Sequence, residues 1–251
     1  MNQASLSDPR KPLARSALAG LLLSLLALGA MLGSGLGARL GWWHFSAGLR
    51  VADWAAYGAA AAATLAVIGL VRARPRSPRR GFVAALLGLL VALPMLIMAA
   101  HWEYAARAYP AINDISTDTS DAPVFWDMPN PSDYPGAKTA ALQRQAYPDL
   151  VPMMLAMPPA QAFAAALAVV KDKGWTVVAD VPDEGRIEAN ATSWLYGFTD
   201  EVAVRVRAAD GGSMVDLRSR SRVGRIDRGV NANRIRSFAD DLRQRSGEVR
   251  P

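Results

Sequence analysis

The chain has 251 residues, a formal net charge of +6 at pH 7 and no cysteine. The missing cysteines exclude disulfide bonds, thiolate nucleophiles and sulfur-ligated metals. Apolar residues are concentrated in about the first hundred positions, so only a small water-exposed domain can follow them. The arginines lie beside the apolar segments and near the C-terminus, and a membrane setting explains the first group better than nucleic-acid binding does.

Three apolar segments near the N-terminus are each long enough to cross a bilayer. A helix rises about 1.5 Å per residue, so roughly 20 residues cover a hydrocarbon core of about 30 Å. Pro94 lies late in the third segment, where membrane helices tolerate proline when neighbouring groups satisfy the freed backbone. The sequence therefore predicts a membrane domain, residues 1–106, surrounded by a lipid bilayer and containing transmembrane helices at about 17–37, 51–71 and 81–100.

Basic residues around these segments predict the orientation in the membrane. They precede the first span and crowd the loop between the second and third, which places both groups on one side; they are Arg10, Lys11, Arg15, Arg72, Arg74, Arg76, Arg79 and Arg80. The positive-inside rule makes that side cytoplasmic. We therefore expect a bacterial inner-membrane protein with a cytoplasmic N-terminus and a periplasmic C-terminal domain. If the first span is instead a signal peptide cleaved near Gly35–Ala38, the side of the C-terminus does not change.

Residues 107–159 form a segment rich in proline and aspartate, for which we expect an extended connector without regular structure. Asp114, Asp118 and Asp121 lie close together there, as the oxygen ligands of calcium do. Their spacing matches no EF-hand loop, and turn and capping roles explain them equally well. We expect no metal in this segment.

Residues 160–246 have the pattern of a small α+β domain. Short glycine-containing turns between the predicted strands favour an antiparallel meander, and apolar helix positions favour two helices on one of its faces. The predicted order is β-α-β-β-β-β-α. The expected strands are Trp175–Val181, Arg186–Trp194, Glu201–Ala208 and Ser213–Arg222, with an edge strand in Leu150–Met157, and the expected helices are Ala160–Lys173 and Val230–Arg245.

Alternation in the last two strands predicts one apolar face and one basic face on the sheet. The arginines that point away from the helices are Arg205, Arg207, Arg218, Arg220 and Arg222. The planar guanidinium matches carboxylate and phosphate, which makes the basic face a candidate binding site for an anion. The alternative is that these arginines pair with carboxylates such as Asp216 on neighbouring strands and protect the sheet from edge pairing.

Several stretches carry a family resemblance: FTDEVAVRV at Phe198–Val206, VDLRSRSRVGRIDRGVN at Val215–Asn231 and RIRSF at Arg234–Phe238. With INDISTDT at Ile112–Thr119, they resemble a family of membrane-anchored bacterial envelope proteins known only as a domain of unknown function, number fourteen ninety-nine. The resemblance implies a domain within Pro110–Arg245 and implies no reaction, cofactor or catalytic residue. The positions that match the family pattern are Asp200, Asp216, Arg218, Ser219, Ser221, Arg222, Gly224, Asp227, Gly229, Asn231 and Arg234.

Two classes of function remain open. The first is a non-catalytic binding or scaffolding module whose basic face or strand-to-helix turn engages an anionic lipid, a glycan or an envelope protein. The second is a periplasmic hydrolase or transferase in which aspartates near the strand-to-helix turn act as acid or base and Ser219 or Ser221 as nucleophile. The sequence supplies no histidine or cysteine near these serines, which favours the first class.

The only two histidines, His44 and His101, suggest a third and weaker hypothesis. The predicted topology places both at the same membrane boundary, where they would be able to share a metal or haem. Single histidines at such boundaries usually bond to head groups. We therefore expect no cofactor.

Overall fold

The computed structural model describes residues 11–129 and 133–247. The chain divides into two compact units. The first comprises the described residues up to Tyr104 together with Leu195–Gly197, and the second comprises Ala105–Trp194 and the described residues from Phe198 onward. Arg10, part of the predicted basic segment, and positions 130–132 of the expected connector lie outside the described residues.

Three long helices dominate the N-terminal part: α1 (Arg15–Arg39), α2 (Phe45–Arg72) and α3 (Phe82–Ala108). Each is long and apolar enough to cross a membrane, which confirms the three predicted spans. The helices extend beyond the apolar segments into polar and aromatic residues. At the start of α2, for example, Nδ1 of His44 accepts a hydrogen bond of 3.3 Å from the backbone N–H of Ser46 and caps the helix.

Small residues let the helices of the first unit approach closely. A Cβ atom added to Gly20 would lie 2.7 Å from the backbone nitrogen of Ala66, and one added to Gly69 would lie 2.7 Å from Cα of Ala17. Larger side chains at these two positions would push α1 and α2 apart, as expected where helices associate through close backbone packing.

One antiparallel sheet forms the centre of the second unit. Its order is β1-β6-β5-β4-β3, and β2 also pairs with β6, alongside β1. The predicted α+β class is confirmed, and the predicted order corresponds to the elements from β2 to α6. The elements of this unit are β1 (Asp114–Ser116), α4 (Ala137–Ala146), β2 (Met153–Leu155), α5 (Pro159–Asp172), β3 (Thr176–Val181), β4 (Arg186–Thr192), β5 (Thr199–Ala209), β6 (Gly212–Ser221) and α6 (Val230–Ser246).

Helices α5 and α6 pack on one face of this sheet, as the sequence predicts. The apolar positions of β5 and β6, such as Val204 and Leu217, are buried against Phe163 and Val170 of α5 and Phe238 of α6. Both helices are amphipathic, and burial of their apolar sides supplies the main stabilisation of this layer.

The segment expected to be an irregular connector contributes β1, α4 and β2 to the fold. Strand β1 pairs with β6, with Asp114 opposite Arg220 and Ser116 opposite Arg218. The prediction of irregular structure was wrong for β1 and α4, whereas β2 lies inside the predicted edge strand Leu150–Met157. Strand β1 has only three residues, too few for alternation to be recognised between prolines. These residues are therefore part of the sheet domain.

Candidate functional site

The sheet face opposite α5 and α6 is covered by residues 117–129, which follow β1 and which we call the strap. Phe125 and Met128 of the strap are buried in a cluster with Ala203 of β5. The carbonyl oxygen of Pro123 accepts a hydrogen bond of 3.1 Å from Nη1 of Arg218. The arginines lie on this face, as predicted, but Arg218 and Arg220 do not project into solvent, because the strap lies over them.

Arg218 and Asp114 form a deeply buried ion pair beneath the strap. Nε of Arg218 donates to Oδ1 of Asp114 at 2.9 Å, and Nη2 donates to Oδ2 at 2.7 Å. The two side chains are only 1% and 6% exposed. The guanidinium also lies 4.8 Å from the ring centroid of Phe125. Two parallel hydrogen bonds and the aromatic ring offset the cost of removing both charges from water.

Glu201 of β5 holds two further arginines of β6. Its Oε2 accepts from Nε of Arg220 at 2.7 Å, and its Oε1 accepts from Nε of Arg222 at 3.0 Å. The guanidinium of Arg220 lies 4.2 Å from the ring centroid of Phe125. Arg222 also donates to Oδ1 of Asn190 at 3.2 Å. One buried carboxylate therefore neutralises much of the charge at this end of the face.

Asp216 pairs with the remaining two arginines, Arg205 and Arg207. Its Oδ2 accepts from Nη2 of Arg205 at 3.0 Å and from Nη2 of Arg207 at 2.9 Å. Asp121 of the strap adds a second carboxylate, 3.1 Å from Nη1 of Arg205 and 2.9 Å from Nη1 of Arg207. The Arg205 guanidinium first, and Arg207 after it, hold the pKa of Asp121 below its usual range. Each arginine of the predicted anion site is therefore paired with a carboxylate of the same chain.

A second polar network joins the other face of the sheet to α6. Asn231 is fully buried at its centre: Oδ1 accepts from Oγ of Ser219 at 2.7 Å and from Arg234, and Nδ2 donates to Oγ of Ser221 at 3.0 Å. Arg234 also donates from Nη2 to Oδ2 of Asp200 at 2.6 Å. These family-pattern positions therefore satisfy one another, as buried polar groups must.

The turn between β6 and α6 is organised by Asp227. Its Oδ1 accepts from the backbone N–H of Gly229 at 3.0 Å, and its Oδ2 accepts from that of Asn231 at 2.8 Å. Burial raises the pKa of Asp227. Gly229 has a φ of 81°, which strains any residue with a side chain, and a Cβ there would also lie 3.0 Å from the ring of Tyr109, so both features favour glycine. The aspartate and glycine of the family pattern thus have structural roles in this turn.

Segment 109–113 fixes the same turn from outside. The backbone N–H of Asp227 donates to the carbonyl oxygen of Ile112 at 3.2 Å. Nδ2 of Asn113 donates to the carbonyl oxygen of Gly224 at 2.6 Å. The turn is therefore held against the chain that follows α3.

The outer surface of this turn combines positive charge with apolar side chains. We call residues Arg222–Arg228 the basic turn. Val223 and Ile226 are 45% and 53% exposed. Arg225 and Arg228 are exposed too, and Arg225 makes no hydrogen bond or ion pair with any described residue. Arg225 and Arg228 are not among the site residues predicted above, although the spacing of RVGRIDR, with an arginine at every third position, is a signal that identifies them.

The residues considered for catalysis have partners that hold them in place. Ser219 bonds to Asn231 and Arg234, and Ser221 bonds to Asn231; none of these partners is a base able to activate a hydroxyl. Asp200 and Asp216 pair with arginines. Among the described residues, no group of three or more histidine, aspartate or glutamate side chains is arranged to hold a metal ion.

These observations define a class: a protein with three candidate membrane-spanning helices and an antiparallel α+β domain that buries two polar networks. The family model described as "Protein of unknown function (DUF1499)" matches residues 114–242, and the chain belongs to this family. The match begins at the first residue of β1 and ends within α6, so it includes all six strands of the sheet. No match was found among curated proteins or among solved structures.

Proposed function

We propose that this protein is a non-catalytic binding module, tethered to the membrane, whose basic turn engages an anionic component of the cell envelope. In this proposal it lies in a bacterial inner membrane with a cytoplasmic N-terminus and a periplasmic sheet domain, as the basic residues beside the spans favour. The observation that carries the proposal is a contrast between arginines. Those under the strap are ion-paired within the chain, whereas Arg225 of the basic turn is exposed and pairs with no described residue.

The electrostatics of the basic turn support an anionic partner. Its one carboxylate, Asp227, is buried and accepts two backbone hydrogen bonds, so it forms no ion pair with Arg225 at the surface. A guanidinium presents a planar set of donors to carboxylate, phosphate or sulfate, and it stays charged at every physiological pH. The turn is therefore suited to binding anions without any catalytic group.

The proposal is tested with the full-length protein in nanodiscs of neutral phosphatidylcholine. The measurement is the binding of fluorescent dextran sulfate, with uncharged dextran as the control polymer. The variant Arg225→Gln/Arg228→Gln removes two charges from the basic turn. The matched variant Lys138→Gln/Lys171→Gln removes two charges from exposed positions on α4 and α5.

We expect dextran sulfate to bind the wild type in a salt-dependent manner and uncharged dextran not to bind. The turn variant should weaken binding about tenfold or more, since charge-assisted hydrogen bonds are each worth about 1.5–3 kcal/mol. The lysine variant should bind as the wild type does. Equal losses in the two variants, or equal binding of the two dextrans, would show that net charge or non-specific adsorption accounts for the result and that the proposal is wrong.

A further inference from the structure

We infer that the anionic partner of the basic turn is the phospholipid surface of the same bilayer that α1, α2 and α3 are suited to cross. The turn then forms a second attachment of the sheet domain to the membrane. The inference rests on the proposed function, because it uses the same turn and names its partner.

The mixture of side chains in the turn favours lipid over a soluble polymer. Val223, Ile226 and Val230 are 45%, 53% and 38% exposed, and they alternate along the chain with the arginines. A soluble polyanion would use only the guanidinium groups. A phospholipid surface offers phosphate to the arginines and an apolar layer immediately beneath it to the valine and isoleucine side chains. Both parts of the surface then have a partner.

The turn is also pre-arranged for such a contact. Hydrogen bonds from Asn113 to Gly224 and from Asp227 to Ile112 fix its backbone, and the Asp227 carboxylate fixes the entry into α6. Arg228 has a φ of 54°, a conformation that glycine or asparagine adopts with less strain, so backbone geometry does not explain an arginine there. Because the turn is already ordered, little conformational entropy is lost when it meets a surface.

The chain keeps the turn near the end of α3. Ile112 and Asn113, which bond to the turn, follow the last residue of α3, Ala108, by only four and five positions. Five residues span at most about 18 Å, so this limit holds for any orientation of the domain. The 27 residues of α3 extend over about 40 Å, which is longer than a hydrocarbon core of about 30 Å. A site tethered so closely meets the head groups at high effective concentration, and weak individual contacts suffice.

The chain has no cysteine, so one introduced cysteine allows a nitroxide spin label to be attached at a single chosen position. Ile226→Cys places a nitroxide on the basic turn. Asp210→Cys places one on the exposed turn between β5 and β6, at the other end of β6 and about 30 Å away for a strand of its length. The full-length protein is measured in nanodiscs of phosphatidylcholine alone and of phosphatidylcholine with phosphatidylglycerol. The readout is the accessibility of each label to lipid-dissolved oxygen relative to a water-soluble nickel chelate.

We expect the oxygen-to-nickel ratio at position 226 to rise several-fold when phosphatidylglycerol is present and the ratio at position 210 to stay unchanged. Adding Arg225→Gln/Arg228→Gln should abolish the rise. Near-UV circular dichroism checks that the labelled proteins fold; both labelled positions are exposed. The inference is overturned if position 226 is as accessible to nickel as position 210 in both compositions, or if it contacts lipid equally in both.

The dextran sulfate measurement distinguishes a failure of the lipid inference from a failure of the proposed function. If dextran sulfate binds through the turn but position 226 never contacts lipid, the proposed function stands and its partner is a soluble polyanion. If neither polymer nor lipid engages the turn, both the proposed function and the lipid inference are wrong.

Discussion

Helices α5 and α6 cover one face of the sheet mainly through apolar contacts. The strap lies over the other face, where buried ion pairs predominate. On the helical face, Leu217 and Phe238 are fully buried among other apolar side chains. On the strap face, Arg218 and Asp114 are almost as deeply buried but form a bidentate ion pair. Apolar contacts are not directional, whereas each ion pair joins two specific side chains in one geometry. The difference suggests that the helices supply most of the stability and that the ion pairs determine where an irregular segment lies.

The largest expected effect comes from breaking the buried pair on the strap face. Asp114→Ala leaves the Arg218 charge buried without its carboxylate and should lower the free energy of unfolding by about 3–5 kcal/mol. The double variant Asp114→Leu/Arg218→Met replaces both charges with apolar groups and should lose much less. Urea unfolding of the full-length protein in detergent, followed by near-UV circular dichroism, measures both. Equal losses in the single and double variants would mean that the ion pair itself adds to the stability of the fold. It would then do more than determine where the irregular segment lies.

A core substitution on the helical face should have a somewhat smaller effect. Leu217→Ala removes a fully buried side chain next to Arg218 in the same strand and should cost about 3 kcal/mol through lost burial and a residual cavity. Val178→Ala, at a position of β3 that is 41% exposed, is the matched control and should change the stability by less than about 0.5 kcal/mol. Similar values for the two variants would show that the helices do not seal this face as tightly as the contacts indicate.

The smallest effect should come from the exposed edge of the strap. Asp121 has a pKa lowered by Arg205 and Arg207, so its ionised form stabilises the folded state. That contribution is complete well above the unfolded pKa of 3.8 and is lost as the pH falls through the lower folded value. Since the side chain is 62% exposed, Asp121→Asn should cost less than about 1 kcal/mol at pH 7. The difference in unfolding free energy between variant and wild type should shrink below about pH 4, and a difference independent of pH would contradict this account.

The elements that the sequence predicts well are those whose pattern is local. The apolar segments gave all three candidate spans, and the alternation in β5 and β6 placed Arg205 and Arg218 on the face opposite the helices, where they lie. The same parity separates Asp216 and Arg218 from Ser219 on β6, so the sequence already divides the family-pattern positions between two faces.

The strap was not predictable in the same way. Its residues have no helical or strand period, and the partners of Asp121 and Phe125 lie far away along the chain. Whether a row of arginines faces solvent or another segment depends on long-range pairing, which alternation does not reveal. The sequence therefore predicts the direction of these side chains correctly, but it does not reveal that Arg218 and Arg220 are buried.

The ion pair between Asp114 and Arg218 also has a consequence for biosynthesis. Asp114 leaves the ribosome 104 residues before its partner. A chain made from its N-terminus onward has the early carboxylates and the apolar Phe125 in place long before β6 exists to receive them. Completion of the sheet is therefore delayed until almost the whole polypeptide has been made, and nascent chains truncated before β6 should be the species most exposed to proteases and to aggregation.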